Sequence, residues 1–373
     1  MDCFRYLLGS IVLSLALAPT KQLYAADSVT ITVTKGFGIS LYASELGDVK
    51  QMALGDKGTL FVGSRKKGTL YGLVDSNNDG KVDKQYLIAK GLNSPESVAF
   101  KDGHLYVTED DRIVRFSDIE SRLRRPGRAR EVFSNLPDLG KKKYTRSIRF
   151  GTDGLLYLAI GSPCNVCEAD MPYSSILAID IETGASEQIA AGVRKVIGFD
   201  WSPKDGKLWF ADLGRNWMGD NIPPDEINRL DTAGSHFGFP YVHAKSINEP
   251  AYSKPENLNV VAPVFELPAH VGPTSVHFYA GDQFPERYQG QMFIAENGSW
   301  NRSSKVGYQV VMLAEQEDGS LKRETVASFL DGGFPVARPY DLVTAPDGSM
   351  YISDDLKGNI YRLYYKNLET SQD

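Results

Sequence analysis

The sequence predicts an all-β fold, a six-bladed β-propeller, on the basis of three observations. One phrase recurs six times: a short apolar strand, a turn that contains glycine, and a second strand that alternates apolar and aromatic residues. Most copies follow one another at intervals of roughly 50 residues, as propeller blades do. The composition, with 11% aromatic residues and 35 glycines, is typical of strands joined by tight turns. A two-sheet sandwich is the alternative, and it explains the recurring phrase less well.

Each copy of the phrase predicts one blade. In chain order the copies read MALGDKGTLFVGS (52–64), VAFKDGHLYVTED (98–110), IRFGTDGLLYLAIGS (148–162), FDWSPKDGKLWFADLG (199–214), QFPERYQGQMFIAENGS (283–299) and LVTAPDGSMYISDD (342–355). The glycine in each turn permits the positive φ that tight hairpins need. These turn glycines are Gly58, Gly103, Gly154, Gly206, Gly290 and Gly348.

The chain ahead of the first copy contains two predicted elements. Residues 1–26 are typical of a secretory signal peptide, with Arg5 before an apolar run that ends at Ala18. That run is too short for a membrane anchor, which needs about 20 apolar residues. The strand at 27–33 is expected to pair with the last blade and close the ring. Residues 27–373 are therefore expected to form a single propeller domain.

Charge and hydropathy limit the classes of partner. The net charge is −6 and the basic residues are scattered, which disfavours a nucleic-acid-binding protein. No stretch after the signal peptide is apolar enough to span a bilayer. The mature protein is therefore expected to be periplasmic or secreted, without a membrane span.

The repeat is interrupted once. Gly206 and Gly290 are 84 residues apart, so an extra segment at about 213–274 separates the fourth and fifth copies. This segment is rich in proline, glycine, asparagine and aromatic residues. Because long insertions into a repeat usually lie on one face, the segment is expected to build a site there.

Cys164 and Cys167 follow the second strand of the third copy, and Cys3 is the one other cysteine. A zinc site needs about four ligands, and neither a second cysteine pair nor a nearby histidine cluster is present. A thioredoxin-like redox pair needs a helix start in a βαβ context, which the pattern does not predict. In an oxidising compartment the two thiols are expected to form a local disulfide.

Several longer motifs resemble one known family. The stretches GSPCNVC, GVRKVIGFDWSPKDGKLWFADLGRNWMGDNIPPDEIN, HFGFPY, FIAENGSWNRS and RPYDLVTAPDGSMYISDD are similar to the sorbosone dehydrogenase branch of the soluble aldose-sugar dehydrogenases. The resemblance runs through the mature chain in order. It implies a propeller that binds pyrroloquinoline quinone (PQQ) beside a calcium ion, oxidises a sugar or a sugar-derived aldehyde or polyol, and passes electrons to an acceptor.

The resemblance also implies cofactor-binding residues. PQQ has three carboxylates, which planar arginine donors bind well. Arg194 and Arg338 match cofactor-binding arginines of the family, and each precedes an inner strand. Lys195 stands where relatives have asparagine and could pair with a carboxylate, and Arg302 lies in the FIAENGSWNRS motif. A surface salt bridge is the alternative role for Arg194 or Arg338 taken alone.

For calcium, the resemblance points to main-chain oxygens. Two successive carbonyl groups after the second strand of the fourth blade bind the ion in relatives, and they correspond to Gly214 and Arg215. Calcium prefers six to eight oxygen ligands, which carbonyl and cofactor oxygens could supply together. A second acidic stretch, DSNNDGKVD at 75–83, partly matches an EF-hand loop but has Tyr86 at the twelfth position. An Asx-rich hairpin turn explains this stretch better than a weak calcium site.

The expected catalytic base is replaced. Relatives have a His-His-Thr-Arg-like phrase before the inner strand of the third blade, and here Lys143 and Tyr144 precede Thr145 and Arg146. Lysine and tyrosine have reference pKa values near 10, which makes them poor bases at neutral pH.

Two residues could take over the role of the base. Tyr144 beside Arg146 is one substitute, and His270 in the inserted segment is the other, although His270 could also be structural. Asn297 also replaces a histidine of relatives. These changes support an alternative function: a catalytically impaired propeller that binds a sugar, a glycan or a protein on the same face.

Overall fold

The computed structural model describes residues 30–137 and 146–366. Across these residues, six antiparallel sheets are arranged in order of sequence, and α-helix is absent. The predicted all-β, six-bladed propeller is therefore confirmed, and the sandwich alternative is excluded. The six turn glycines all have φ between +66° and +84°, as the hairpin prediction requires.

The first three blades are simple meanders, in which each strand pairs with the next. Blade 1 consists of Val49–Leu54, Leu60–Ser64, Thr69–Val74 and Lys84–Lys90. Blade 2 consists of Val98–Lys101, His104–Thr108, Arg112–Phe116 and Arg130–Ser134. Blade 3 consists of Arg146–Phe150, Leu156–Ile160, Ser175–Ile179 and Ser186–Ala191, with Ser235–His236 added in parallel at its outer edge.

The last three blades each recruit a strand from elsewhere in the chain or from the inserted segment. Blade 4 consists of Val196–Trp201, Leu208–Asp212, Asp225–Leu230 and Phe265–Leu267. Blade 5 consists of Pro273–Phe278, Met292–Glu296, Gln309–Glu315, Leu321–Ser328 and the outer strand Thr32–Val33. Blade 6 consists of Pro339–Thr344, Met350–Asp354, Asn359–Tyr365 and the outer strand Phe37–Ala43.

Short elements complete the described secondary structure. Two small hairpins pair Val242–His243 with Ile247–Asn248 and Leu330–Asp331 with Phe334–Pro335. Two 3-10 turns span Ile119–Ser121 and Glu286–Tyr288. The inserted segment at 213–274 thus contains two strands of blade 4, the edge strand of blade 3 and one hairpin. No helix in the described ranges is long and apolar enough to cross a membrane.

The predicted pairing of the N-terminal strand needs a correction. Of the segment 27–33, Thr32–Val33 pairs with the outer strand of blade 5 and not with blade 6. The chain then turns at Gly36, where φ is +94°, and Phe37–Ala43 pairs with Asn359–Tyr365 of blade 6. The turn separates the N-terminal chain into two short strands, which serve two neighbouring blades.

The first strand of every blade lies at the axis. Each of these inner strands contacts the inner strands of both neighbouring blades, including the first and the last, so the ring is closed. Side-chain hydrogen bonds link them: Thr274 Oγ1 donates to the Tyr340 carbonyl at 2.7 Å, and Gln51 Nε2 of blade 1 donates to the Ile197 carbonyl of blade 4 at 2.9 Å. At the level of these inner strands, polar side-chain contacts therefore fill the axis of the propeller.

The apolar core is divided among the blade interfaces. Six clusters of buried residues each join two successive blades, and the last joins blade 6 to blade 1. Because a single twisted sheet cannot bury both of its faces alone, each blade depends on its two neighbours. This arrangement leaves the loops at the two ends of the axis available for binding.

Candidate functional site

A cavity of about 490 Å³ lies at one end of the axis, and we call it the hub cavity. Two kinds of segment form its wall: loops that follow second strands and loops that precede inner strands. Its lining includes Arg65, Arg194, Lys195, Trp217, His270 and Trp300. The volume is in the usual range for small-molecule sites.

Arg194 precedes the inner strand of blade 4 and is only 7% exposed. Its main-chain N–H donates to Asp212 Oδ2 at 2.7 Å. Its guanidinium donates to Asn165 at two atoms, the carbonyl oxygen at 2.9 Å and Oδ1 at 3.0 Å. It also donates to the carbonyls of Leu213 and Gly214, at 3.1 and 2.9 Å. The structure thus places Arg194 in the cavity wall with its orientation determined by neighbouring loops.

The carbonyl pair predicted for calcium lies beside this guanidinium. Gly214 lines the hub cavity, but its carbonyl oxygen already accepts the hydrogen bond from Arg194 Nη1. A Ca²⁺ ion bound to that oxygen at its usual distance of 2.3–2.6 Å would lie close to the positively charged guanidinium, because both would contact the same oxygen atom. Among the residues with described placement, no group of three or more acidic, histidine or cysteine side chains is arranged for a metal. The Gly214 carbonyl oxygen is thus shared with a guanidinium, and calcium binding by Gly214 and Arg215 stays a prediction.

The Arg215 side chain has a structural role. Its Nη1 donates to both carboxylate oxygens of Glu249, at 2.6 and 2.5 Å, and His243 Nε2 lies 2.9 Å from Glu249 Oε2. Glu249 is 5% exposed, and burial lowers the pKa of His243. This cluster ties the loop after the second strand of blade 4 to a later part of the inserted segment, near Glu249.

Lys195 lines the hub cavity next to Arg194. Burial and the neighbouring positive charge of Arg194 lower the pKa of its ammonium group to about 8. Within the described chain Lys195 forms no ion pair, and Glu96 is the acidic residue that acts on it electrostatically. Arg65 Nε lies 3.5 Å from Glu96 Oε2. Two guanidinium groups and one ammonium group therefore share the wall of the hub cavity.

Buried carboxylates lie beneath this cationic wall. Asp225 is 1% exposed and accepts from the Gly214 and Gly272 main-chain N–H groups, each at 2.8 Å. Burial raises the pKa of Asp225 to about 7. Burial also raises the pKa values of Asp212 and Glu226. Asp225 thereby holds together two loops of the cavity wall.

His270 lies in the cavity wall, as its candidate role as a base requires. Its Nε2 lies 2.8 Å from the Gly219 carbonyl, so Nε2 carries the proton and Nδ1 is the basic nitrogen. Arg302 does not line the cavity. Its Nη1 donates to the carbonyls of Asp220 and Ala269, at 2.7 and 3.3 Å. Arg302 thus supports the backbone on both sides of His270.

The structure does not bring Arg338 to the cavity wall. Its Nε donates to Asp355, and Lys50 binds the same carboxylate. Asn297, the position where relatives have histidine, donates from Nδ2 to the Pro339 carbonyl at 3.0 Å. These contacts hold Arg338 in a network between blades 5, 6 and 1, whereas Arg194 lies at blade 4.

Of the two catalytic candidates at blade 3, only Arg146 lies within the described residues. Tyr144 lies outside the described residues, so its role stays a prediction. Arg146 begins the inner strand, is 5% exposed and donates from Nη2 to the Pro137 carbonyl. It is not part of the cavity wall.

The structure confirms the disulfide between Cys164 and Cys167, whose Cα atoms are 6.1 Å apart. The stretch at 75–83 has the hydrogen bonds of an Asx-rich turn: the Gly80 N–H donates to Asp75 Oδ2 at 2.9 Å, and the Ser76 N–H donates to Asp83 Oδ2 at 2.7 Å. The carboxylates therefore bind the backbone of their own loop.

Sequence reasoning missed several side chains of the hub cavity, among them Arg65, Trp217 and Trp300. Arg65 directly follows the second strand of blade 1. Gly214 lies at nearly the same position of the repeat in blade 4, and this correspondence could have identified Arg65. Trp217 and Trp300 form an edge-to-face pair with ring centroids 5.3 Å apart. They are 67% and 64% exposed, and they come from loops of different blades, so no local pattern predicts their contact.

Two relatives share sequence similarity with the chain. An uncharacterised protein of Borreliella burgdorferi is 34% identical over 363 residues, which cover 92% of this chain and 94% of that protein. A pyrroloquinoline quinone-dependent pyranose dehydrogenase of Coprinopsis cinerea is 29% identical over 126 residues, which cover 28% of this chain and 16% of that protein. The second similarity is thus confined to part of each chain.

Solved structures share the fold at low sequence identity. The calcium structure of a Trichoderma reesei enzyme of carbohydrate-active family AA12 has a TM-score of 0.76 at 19% identity and covers 92% of this chain and 99% of that one. The holo PQQ domain of the Coprinopsis cinerea pyranose dehydrogenase has a TM-score of 0.72 at 17% identity, with coverages of 90% and 97%. The apo soluble aldose sugar dehydrogenase of Escherichia coli has a TM-score of 0.66 at 16% identity, with coverages of 88% and 100%.

These structures confirm the fold that the sequence motifs implied. A family model matches residues 25–362, nearly the whole chain beyond the predicted signal peptide, and its description is "Domain of unknown function (DUF7133)". The protein is therefore a member of the DUF7133 family, with the six-bladed propeller fold of the soluble aldose-sugar dehydrogenases.

Proposed function

We propose that this protein is an exported quinoprotein oxidoreductase, which binds PQQ in the hub cavity and oxidises a sugar or a sugar-derived aldehyde or polyol. The observation that carries the proposal is the lining of the cavity. Arg65, Arg194 and Lys195 gather on its wall, and Trp217 and Trp300 lie at its rim. The same fold holds PQQ in the Coprinopsis cinerea enzyme, as that structure is described.

The cationic side chains would hold the cofactor. Three carboxylates on a rigid planar molecule need positive charges of fixed position, and a guanidinium anchored by carbonyl oxygens supplies such a charge without further ordering. Lys195 would pair with a carboxylate as a mobile point charge. Trp217 and Trp300 would cover an aromatic face and exclude water from the cavity.

The ortho-quinone, when bound, would accept a hydride from the carbon of the substrate. His270 is the proton acceptor that the described site offers for the substrate hydroxyl. Its Nε2–H is held by the Gly219 carbonyl, so that Nδ1 keeps a lone pair, in the way that a second group orients a general base. Tyr144, which lies outside the described residues, is the other candidate for this role.

Export is supported by the disulfide, because such bonds persist in oxidising compartments. The predicted signal peptide at 1–26 agrees with a periplasmic or secreted protein. An electron acceptor in that compartment would complete the catalytic cycle.

A PQQ titration of the purified full-length protein tests the proposal. Binding is followed by quinone absorbance and by quenching of tryptophan fluorescence, and turnover by dye reduction with a panel of aldoses. Arg194→Gln is expected to weaken binding roughly 10- to 100-fold, since it removes a charged hydrogen-bond donor. Arg122→Gln, at a side chain that is 56% exposed, is the control and should bind as the wild type does. Absence of binding to the wild type would refute the proposal.

The titration also decides two open points. The hydrogen bond from Arg194 to the Gly214 carbonyl leads us to expect the same affinity in EDTA as in added Ca²⁺. Binding only with Ca²⁺ would instead support the calcium dependence and the Gly214 and Arg215 ligands that the resemblance implies. Binding without turnover would favour the alternative of a propeller that retains the site and has lost catalysis.

A further inference from the structure

Asn165 lies inside the small ring that the Cys164–Cys167 disulfide closes. This ring follows the second strand of blade 3, while Arg194 precedes the inner strand of blade 4. The two segments are 29 residues apart in sequence, and they meet at the wall of the hub cavity. The disulfide ring therefore lies next to Arg194, a cationic side chain of the cavity wall.

Asn165 uses most of its polar groups on two partners. Its carbonyl oxygen accepts from Arg194 Nε at 2.9 Å, and its Oδ1 accepts from Arg194 Nη2 at 3.0 Å. The same Oδ1 accepts from the Asn216 N–H at 2.9 Å, and Nδ2 donates to the Asn216 carbonyl at 3.0 Å. The main chain and the side chain of Asn165 therefore bind both the Arg194 guanidinium and the loop that contains Asn216.

The ring is itself anchored to Arg194 through Ser162, which is 1% exposed. The Ser162 N–H donates to the Arg194 carbonyl at 2.8 Å. The Cys164 N–H donates to Ser162 Oγ at 3.3 Å, and that oxygen lies 3.2 Å from Cys164 Sγ. With the disulfide closed, the backbone at Asn165 has few alternative conformations, because both ends of the ring are held.

We propose that Asn165, held by the Cys164–Cys167 disulfide, is the positioning residue for Arg194, and that opening the disulfide releases the guanidinium from its fixed direction. A consequence is weaker binding of a planar anion in the hub cavity; this consequence rests on the proposed function. Such a small ring contributes little to global stability, so the effect is on the site and not on the melting temperature.

Chemical modification of arginine tests the positioning without any ligand. Phenylglyoxal is applied to the folded apoprotein, and the modification rate of each arginine is measured by peptide mass mapping. Dithiothreitol transfers two electrons and two protons to the disulfide, giving two thiols and its own cyclic disulfide, and the thiols are then alkylated. We expect Arg194 to react at least tenfold faster after reduction. Arg323, which pairs with the buried Glu296, is the internal control and should not change.

Two substitutions separate Asn165 from the ring as a whole. Asn165→Ala, with the disulfide intact, should raise the Arg194 rate as reduction does. Asn165→Asp keeps oxygen acceptors for the guanidinium and should keep Arg194 protected. An unchanged Arg194 rate after reduction and in Asn165→Ala would overturn the proposal. So would an equal rise at Arg323 or a large fall in melting temperature, since either shows a general loss of structure.

PQQ binding is measured on the same samples to separate the two proposals. We expect a roughly tenfold higher dissociation constant after reduction and in Asn165→Ala. If the wild type binds no PQQ while the Arg194 rate responds to reduction, the proposed function fails and the positioning role stands. If PQQ binds equally to all samples and the Arg194 rate is constant, the positioning role fails and the proposed function stands.

Discussion

Neighbouring residues at the start of blade 4 differ in how their charge is held. The Arg194 guanidinium is held by two loops, whereas Lys195 has no ion-pair partner among the described residues. Burial and the charge of Arg194 lower the pKa of Lys195 to about 8. A guanidinium stays charged at any relevant pH, but this ammonium group loses its proton slightly above neutrality. The charge of the cavity wall therefore depends on pH through Lys195.

This difference predicts a pH-dependent affinity. Below pH 8 Lys195 is charged and attracts a carboxylate, and as the pH rises through 8 the charge and the attraction are lost. We expect the dissociation constant for PQQ to rise roughly tenfold between pH 7.5 and pH 9.5, as titration of one charged hydrogen bond allows. Lys195→Gln should bind more weakly at pH 7 and show a flat profile, whereas the exposed control Lys204→Gln should follow the wild type. A flat wild-type profile would contradict the assignment.

At the scale of elements, the first loop of the inserted segment, which follows the second strand of blade 4, depends on later residues of the same segment. Arg215 in this loop forms a two-oxygen contact with Glu249, and their side chains are 13% and 1% exposed. Asp225 and Asn165 hold the same loop from two other directions. The insertion thus contributes to the site by fixing a loop that carries Gly214 and Trp217, two residues of the cavity wall.

Removing the buried partner of this ion pair should destabilise the protein. Glu249→Ala leaves the Arg215 charge and His243 without their carboxylate, and we expect the free energy of unfolding to fall by about 3–5 kcal/mol. The matched control is Glu324→Ala, which removes an exposed pair with Arg287 and should cost below about 1 kcal/mol. Urea denaturation at pH 7 measures both, and equal losses would show that the buried pair has no special role.

For the whole molecule, stability depends on how the ring is closed. Thr32–Val33 extends blade 5 and Phe37–Ala43 completes blade 6, so one short stretch of chain joins two blades. Phe37, at 3% exposure, packs edge to face against Phe284 and Tyr288 of blade 5 and Tyr365 of blade 6, with ring centroids 4.9 to 5.1 Å apart. Strand pairing and aromatic packing together therefore join blades 5 and 6 through this stretch.

Loss of the Phe37 packing is expected to destabilise the whole propeller. Phe37→Ala is expected to lower the free energy of unfolding by about 3–5 kcal/mol, the range for a large core aromatic. Phe334→Ala, at a side chain that is 77% exposed, is the control and should change it by less than about 0.5 kcal/mol. Thermal and urea unfolding report both values. A Phe37→Ala protein as stable as the control would contradict the role of this residue in joining blades 5 and 6.

The sequence by itself determined the six blades, the turn glycines and the Cys164–Cys167 disulfide. These depend on local rules: strand periodicity, positive φ at a hairpin, and two thiols close together in the chain. The resemblance of its motifs to a known family also pointed to Arg194.

Only the tertiary structure decided which cations face the hub cavity. Arg338 and Arg302 match the family's motifs, yet Asp355 and the carbonyls of distant loops hold them elsewhere, while Arg65 lines the wall. The tertiary structure likewise assigned Thr32–Val33 and Phe37–Ala43 to different blades. The physical reason is the same in each case: a side chain or an edge strand takes its direction from partners far away in sequence, and no local pattern encodes them.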